Sequence, residues 1–162
     1  MNAPCPLLTP TVELLVDIIS KARQHMLATA EGLTPDRLLR IPPGFRNNLL
    51  WNFGHVVVAQ QRLCYDACGL PLRVPAYFPP LFRKGTSPAD WTGQIDFEEV
   101  KIWMIETPKL LREDLENNRF GEFKPYDTSF GVRLAHLSDF IAFTACHENQ
   151  HLGIVMALRK LV

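Results

Sequence analysis

The chain has 162 residues, 47% of them hydrophobic, with 17 basic against 17 acidic side chains, five His and 13 Pro. A single domain over 1–162 buries roughly two thirds of the surface its unfolded chain exposes, so it folds without disulfides or a structural metal, and any bound metal points to function. Zero net charge offers phosphates no long-range attraction, which argues against DNA or RNA as a partner.

Met1–Pro10 has neither a basic n-region nor an apolar h-region, and Pro4, Pro6 and Pro10 interrupt any signal helix. No stretch approaches ~20 uninterrupted apolar residues, so no membrane span is expected. Cys5, Cys64, Cys68 and Cys146 form no CxxC pair and read as reduced thiols in a cytoplasmic protein.

Four long proline-free or proline-poor segments read as helices. The first opens at Thr9-Pro10, an N-cap followed by Pro at the first helical position, carries Val12, Leu15, Ile18, Ile19, Ala22 and Met26 at helical spacing, and ends near Gly32. The second is capped by Asn47 or Asn48 and runs through Leu49, Phe53, Val56, Val57, Leu63, Cys64 and Ala67 to a stop at Gly69. The third begins at Asp96 with Glu99 three residues on, a capping-box-like pair, and continues through Val100, Trp103, Met104, Leu110, Leu111 and Leu115; Pro108 is expected to kink or split it. The fourth spans about Ser138 to Leu161, with Phe140, Phe143, Thr144, Ile154, Val155 and Leu158 on one face and Arg159 and Lys160 suiting the helix dipole.

The connections differ in length. Residues 33–46 hold a short turn of helix after Thr34-Pro35, whereas 70–95 form a long Pro-rich link. Loops much beyond ~12–15 residues need a reason, and a crossover joining two parallel helices along a bundle is one. The predicted fold is therefore all-α, a four-helix bundle running up-down-down-up with its long crossover between the second and third helices. Tyr126, Thr128, Phe130, Val132 and Leu134 alternate, the pattern of extended chain over one end of the bundle.

His147 and His151 are four apart on the last helix and share its apolar face. Two stacked imidazoles in one cavity cannot both be protonated cheaply, which favours a metal site over a pair of core histidines. His147-Glu148-Asn149-Gln150-His151 is formally HExxH, the zinc-peptidase motif, but the eleven residues after His151 include no His, Asp or Glu to supply the downstream ligand. A third ligand must come from upstream, from His55, His136 or His25. His55 follows Gly54 inside the second helix, where glycine costs about 1 kcal/mol relative to Ala and marks close approach of a backbone or ligand. It lies off the centre of its own apolar stripe, on a flank with Asn48, Asn52 and Ala59, which places the site near a helix seam or bundle mouth.

The segments WNFGHV (51–56) and HENQHLGIV (147–155) resemble, in placement and separation, the two motifs of the DinB/YfiT-like superfamily of bacterial proteins. By helix layout the resemblance covers nearly the whole chain, though only these short motifs are specific. It implies the four-helix up-down-down-up bundle and a divalent metal held by one His of the second helix and an HxxxH pair of the fourth, matched here by His55, His147 and His151. The long 70–95 crossover and Glu148 are not general features of the family.

Three neutral imidazoles leave coordination positions open, the pattern of catalytic rather than structural zinc. Zinc or nickel suits such a set best, with iron or manganese behind them. At such an ion water becomes a hydroxide nucleophile near neutral pH, and a thiol becomes thiolate. Characterised relatives include S-transferases and isomerases that use low-molecular-weight thiols, and others are described only as metal-dependent hydrolases.

The expected function is thus a metal-dependent enzyme acting on a small molecule, by hydrolysis or by transfer of a thiol. The alternative is a non-catalytic metal-binding or stress-associated protein. Glu148 is a candidate general base, against a solvated helix residue, and Asn52 a candidate outer hydrogen-bond partner. Arg83 and Lys84 either meet an anionic substrate or are simply solvated. His136 caps the last helix or lies near the site, His25 belongs to the surface or core of the first, and Cys64 and Cys68 serve packing. Helical relatives commonly dimerise, and the apolar excess here allows a homodimer.

Overall fold

A computed structural model describes residues 7–162. Cys5, expected as a reduced thiol, lies outside them; among the described residues Cys64, Cys68 and Cys146 are free.

Helix α1 (Pro10–Ala30) starts where Thr9 Oγ1 accepts the Val12 N–H at 3.3 Å, with Pro10 in its first turn. It ends before Gly32, whose φ of +74° suits a residue without Cβ. A short α2 (Pro35–Leu39) follows Thr34. Helix α3 (Leu49–Cys64) is capped by Asn48, whose Oδ1 accepts the Trp51 N–H at 2.8 Å.

The expected run of this helix to Gly69 is interrupted. Tyr65 turns its ring into the core beside Phe120, donates its OH to Asp114 Oδ2 at 2.8 Å, and only a single 3-10 turn, Asp66–Cys68, carries the chain on to Gly69. The long connection is also more structured than its prolines suggest. It contains α4 (Phe78–Phe82), whose two end phenylalanines are buried, and a second 3-10 turn at Pro88–Asp90.

Helix α5 (Phe97–Glu116) begins at Asp96, but Asp96 Oδ1 takes the Glu98 N–H, and Glu99 turns instead to Tyr77 OH and Trp103 Nε1. Of the kink or split expected at Pro108, the split does not occur: α5 runs through it. Its missing N–H leaves the Met104 carbonyl without its usual i+4 donor, and Arg23 Nη1, reaching in from α1, lies 3.4 Å from that oxygen. The alternating segment folds into a two-stranded antiparallel hairpin, β1 (Tyr126–Asp127) with β2 (Arg133–Leu134), in which Tyr126 pairs with Leu134. Thr128 and Leu134 are buried, while Tyr126, Phe130 and Val132 stay exposed, so the alternation is not a fully buried face. Helix α6 (Leu137–Arg159) opens at His136, where Asp139 Oδ2 accepts the N–H groups of Ala135 and His136.

The protein is thus all-α apart from this hairpin. Helix α1 packs on α6 and α5, and α3 packs on the same two. Among the described residues no helix is long and apolar enough to cross a membrane.

The core is divided into two apolar clusters with a polar layer between them. Val12, Val16, Ile19, Cys64, Leu111, Leu115 and Ile141 belong to one, and Met26, Val56, Val58, Met104, Val155 and Leu158 to the other. The layer's hub is Arg23, only 1% exposed. Its Nε contacts both carboxylate oxygens of Glu148 at 3.1 Å, and Nη2 approaches Oε1 at 2.6 Å. Nη1 donates to Thr107 Oγ1 at 2.6 Å, and Nη2 also reaches Val56 O and Gln60 Oε1, both at 3.2 Å. One guanidinium therefore satisfies its donors with groups on α3, α5 and α6, tying all four long helices together.

Candidate metal centre

His55, His147 and His151 converge where α3 faces α6, with one ring nitrogen from each lying within 4.8 Å of the others. Ring centroids are separated by 5.2 Å for His55–His147, 4.8 Å for His55–His151 and 4.5 Å for His147–His151. His25 and His136 are exposed and lie outside this group.

The rings are oriented by neighbours that fix their tautomers. His55 Nδ1 lies 2.8 Å from Phe82 O, and a carbonyl only accepts, so Nδ1 carries the proton and Nε2 is left with its lone pair. Asn52 Nδ2 donates to Asn48 O at 2.7 Å, which turns Asn52 Oδ1 toward His151 Nδ1 at 2.8 Å. That ring too is held as the Nδ1–H tautomer with Nε2 free. His147 Nδ1 is buried with no hydrogen-bond partner among the described residues. Trp51, one turn before His55, stacks on its ring at 4.4 Å and anchors its own indole N–H on Thr86 Oγ1 at 3.0 Å.

Gly54 has a specific neighbour, which is neither a backbone nor a ligand. A Cβ there would overlap Cγ, Cδ1 and Cε1 of the fully buried Phe82 ring. The glycine lets α4 settle onto α3, and that docking delivers the Phe82 carbonyl to His55.

Glu148 is not the solvated residue weighed above: it is fully buried. Burial pushes its carboxyl upward while the Arg23 guanidinium pulls the other way. Both of its oxygens are engaged by Arg23, in the polar layer rather than in the histidine group.

Burial, reinforced by the neighbouring imidazoles, pushes His147 down to about 4 and His151 to about 3, and burial also lowers His55. All three are neutral at pH 7, the form in which imidazole binds a metal. These shifts also set the acid sensitivity of the metal-free protein. An unfolded chain protonates each ring near 6.5, whereas the folded chain protonates His147 and His151 only well below and His55 also at lower pH, so unfolding takes up protons and stability falls as pH drops. Urea midpoints of metal-free protein are expected to decline steadily from pH 6.5 to about 5, above the range where most carboxylates titrate; a flat profile there would contradict the assignment.

Two cavities meet at the histidines. One, of about 280 Å³, lies between α3, α6 and the hairpin and is walled by Val58, Leu63, Phe140 and Phe143. The other, of about 320 Å³, opens past Asn47, Trp51 and Gln150. His55, His147, Lys84, Ser129 and Phe130 line both. Phe130, at the hairpin tip, leans on Phe143 with ring centroids 6.0 Å apart.

The sequence reading did not find Phe82, Trp51 or Arg23. Phe82 acts through a backbone carbonyl, which leaves no mark in side-chain identity. Trp51 could have been found from its i,i+4 spacing to His55, and Arg23 from its position in the apolar stripe of α1.

In comparisons with known proteins, residues 18–155 match the sequence profile of the DinB superfamily. No curated protein matches the chain.

Proposed function

The chain belongs to the DinB superfamily, and on that premise we propose that His55, His147 and His151 hold a divalent ion at the mouth of an up-down-down-up four-helix bundle and present it to a small-molecule substrate. The order in which the helices cross the two core clusters supports this topology. Helices α1 and α6 pass from the Val16 cluster to the Met26 cluster, α3 and α5 the opposite way.

The observation that carries the metal reading is the convergence of three neutral imidazoles, two with Nδ1 already occupied by oxygen acceptors and the third with an orphaned buried nitrogen. Such partners orient ligands and raise their basicity. Zinc or nickel fits best, with iron and manganese next. A bound ion would supply Lewis acidity to water or a thiol at its open positions.

The chain's own residues supply orientation and enclosure. Phe82 O and Asn52 aim two rings, Trp51 covers one face of His55, and Phe130 with Phe143 shields the apolar cavity from water. We favour thiol transfer over hydrolysis. The carboxylate nearest in sequence, Glu148, is engaged by Arg23 and poorly placed to serve as a general base for water, and a bound dication would acidify a thiol further than it acidifies water, so a thiol would need such a base less.

Metal analysis of untagged protein, followed by titration of zinc and nickel against a chromophoric chelator, tests the reading. One ion per chain is expected, lost in His55→Ala with the fold retained. Asn52→Leu, which removes the partner of His151 together with the side-chain donor to Asn48 O, should weaken binding about 10–100-fold. Wild-type protein that takes up neither ion would refute the proposal. A conjugation screen with glutathione or bacillithiol and electrophiles then separates an enzyme from a non-catalytic metal-binding protein.

A further inference from the structure

We propose that the site selects small organic anions bearing an apolar arm, with the anionic group between the histidine cluster and Lys84 and the arm in the cavity walled by Phe140, Phe143 and Phe130. The inference rests on the metal reading for its full strength but has a part that does not depend on it.

Charge carries the first half. The chain is neutral overall, yet the charged side chains lining the two cavities are Arg46, Arg62, Lys84 and Lys124 against Asp66 alone. Asp66 stands 4.0 Å from Arg62, while Arg46, Lys84 and Lys124 form no ion pair among the described residues. Lys84 borders both cavities two residues after Phe82, so the segment that orients His55 also sets a cation at the mouth.

A dication on three neutral imidazoles adds positive charge and no compensation. Of the two acids on α6, Glu148 is matched to Arg23 and Asp139 holds the N–H groups of Ala135 and His136 at the helix start. An incoming anion is the one component that balances the site, and cavity walls of low dielectric strengthen that attraction.

Shape carries the second half. The cavity of about 280 Å³ has Val58, Leu63 and the three phenylalanines in its wall and lies near the lower end of the size range of small-molecule sites. A fully hydrated inorganic anion would leave that wall unused. A carboxylate with an aryl or alkyl arm fills both features at once.

Calorimetry with 4-phenylbutyrate, 4-phenylbutanol and 4-phenylbutylamine, on zinc-loaded and on metal-free protein with zinc content measured in the same samples, tests this. The carboxylate is expected to bind zinc-loaded protein about tenfold or more tighter than the alcohol, the amine weakest. Lys84→Gln should weaken the carboxylate about two- to fivefold and leave the alcohol unchanged. Phe130→Ala, at an exposed hairpin tip, should weaken both alike. Should the protein take up neither zinc nor nickel, the metal reading fails but the anion reading is still examined in the metal-free arm, where a smaller preference for the carboxylate, lost in Lys84→Gln, is expected. Equal binding of carboxylate and alcohol in both arms, or a preference untouched by Lys84→Gln, overturns the proposal.

Discussion

Arg23→Met is expected to lower the unfolding free energy by about 3–5 kcal/mol, because it strands the Glu148 carboxylate in a site with no access to water. The same change leaves Gln60 Oε1 without the donor it has in Arg23 and returns Thr107 Oγ1 to its bond with Trp103 O alone. Urea denaturation of metal-free protein measures the loss. The second arm of the experiment is the double variant Arg23→Met with Glu148→Leu, in which no unpaired charge remains. Apolar replacement of a whole buried ion pair is often neutral or stabilising, so the double variant should recover much of what the single one loses. A double variant no better than Arg23→Met would mean that the hydrogen bonds to α3 and α5, rather than the ion pair, hold the layer together.

Gly54→Ala reaches the candidate metal centre from the opposite direction. Alanine is worth about 1 kcal/mol over glycine in a helix interior, so propensity alone predicts stabilisation. The added methyl, however, meets a ring that cannot swing away: Phe82 is fully buried, with Phe78 at 4.7 Å and Trp91 at 5.6 Å between ring centroids. Overpacking of this kind typically costs about 1–3 kcal/mol, and we expect it to prevail. Displacing α4 also withdraws the Phe82 carbonyl from His55, so zinc affinity should fall together with melting temperature. Stabilisation with unchanged zinc affinity would show that α4 adapts freely and that His55 does not depend on it.

The features most legible in the sequence were those written in side-chain periodicity and caps. Thr9-Pro10 and Asn48 mark true helix starts, and the four-residue spacing of His147 and His151 places them together. The match of His55 with that pair came from the resemblance of two short motifs, since nothing in local periodicity distinguishes it from His25 or His136. What escaped the reading depends on partners far along the chain. Tyr65 breaks α3 because Asp114, 49 residues away, draws its hydroxyl inward.

Arg23 and Glu148 show the same limit from another side. Each occupies an apolar-stripe position, Arg23 between Ile19 and Met26 and Glu148 between Thr144 and His151, and a charge in such a slot is a sign of a buried partner. The sign is visible in each helix alone, whereas the identity of the partner is not. A lone glutamate on a helix is ordinarily solvated, and only the fold pairs it with an arginine 125 residues away.

Pro108 gives α5 a gap in its backbone ladder, and Arg23 of α1 addresses the carbonyl at that gap. The two helices are thereby keyed to each other in register. Sliding α1 by one turn along α5 would strip the Met104 oxygen of its outside donor and remove the guanidinium from Glu148 in the same movement, whereas two purely apolar faces would permit such slippage at little cost. A residue that normally breaks helices here fixes the relative height of two of them, and with it the level at which α6 carries its histidines.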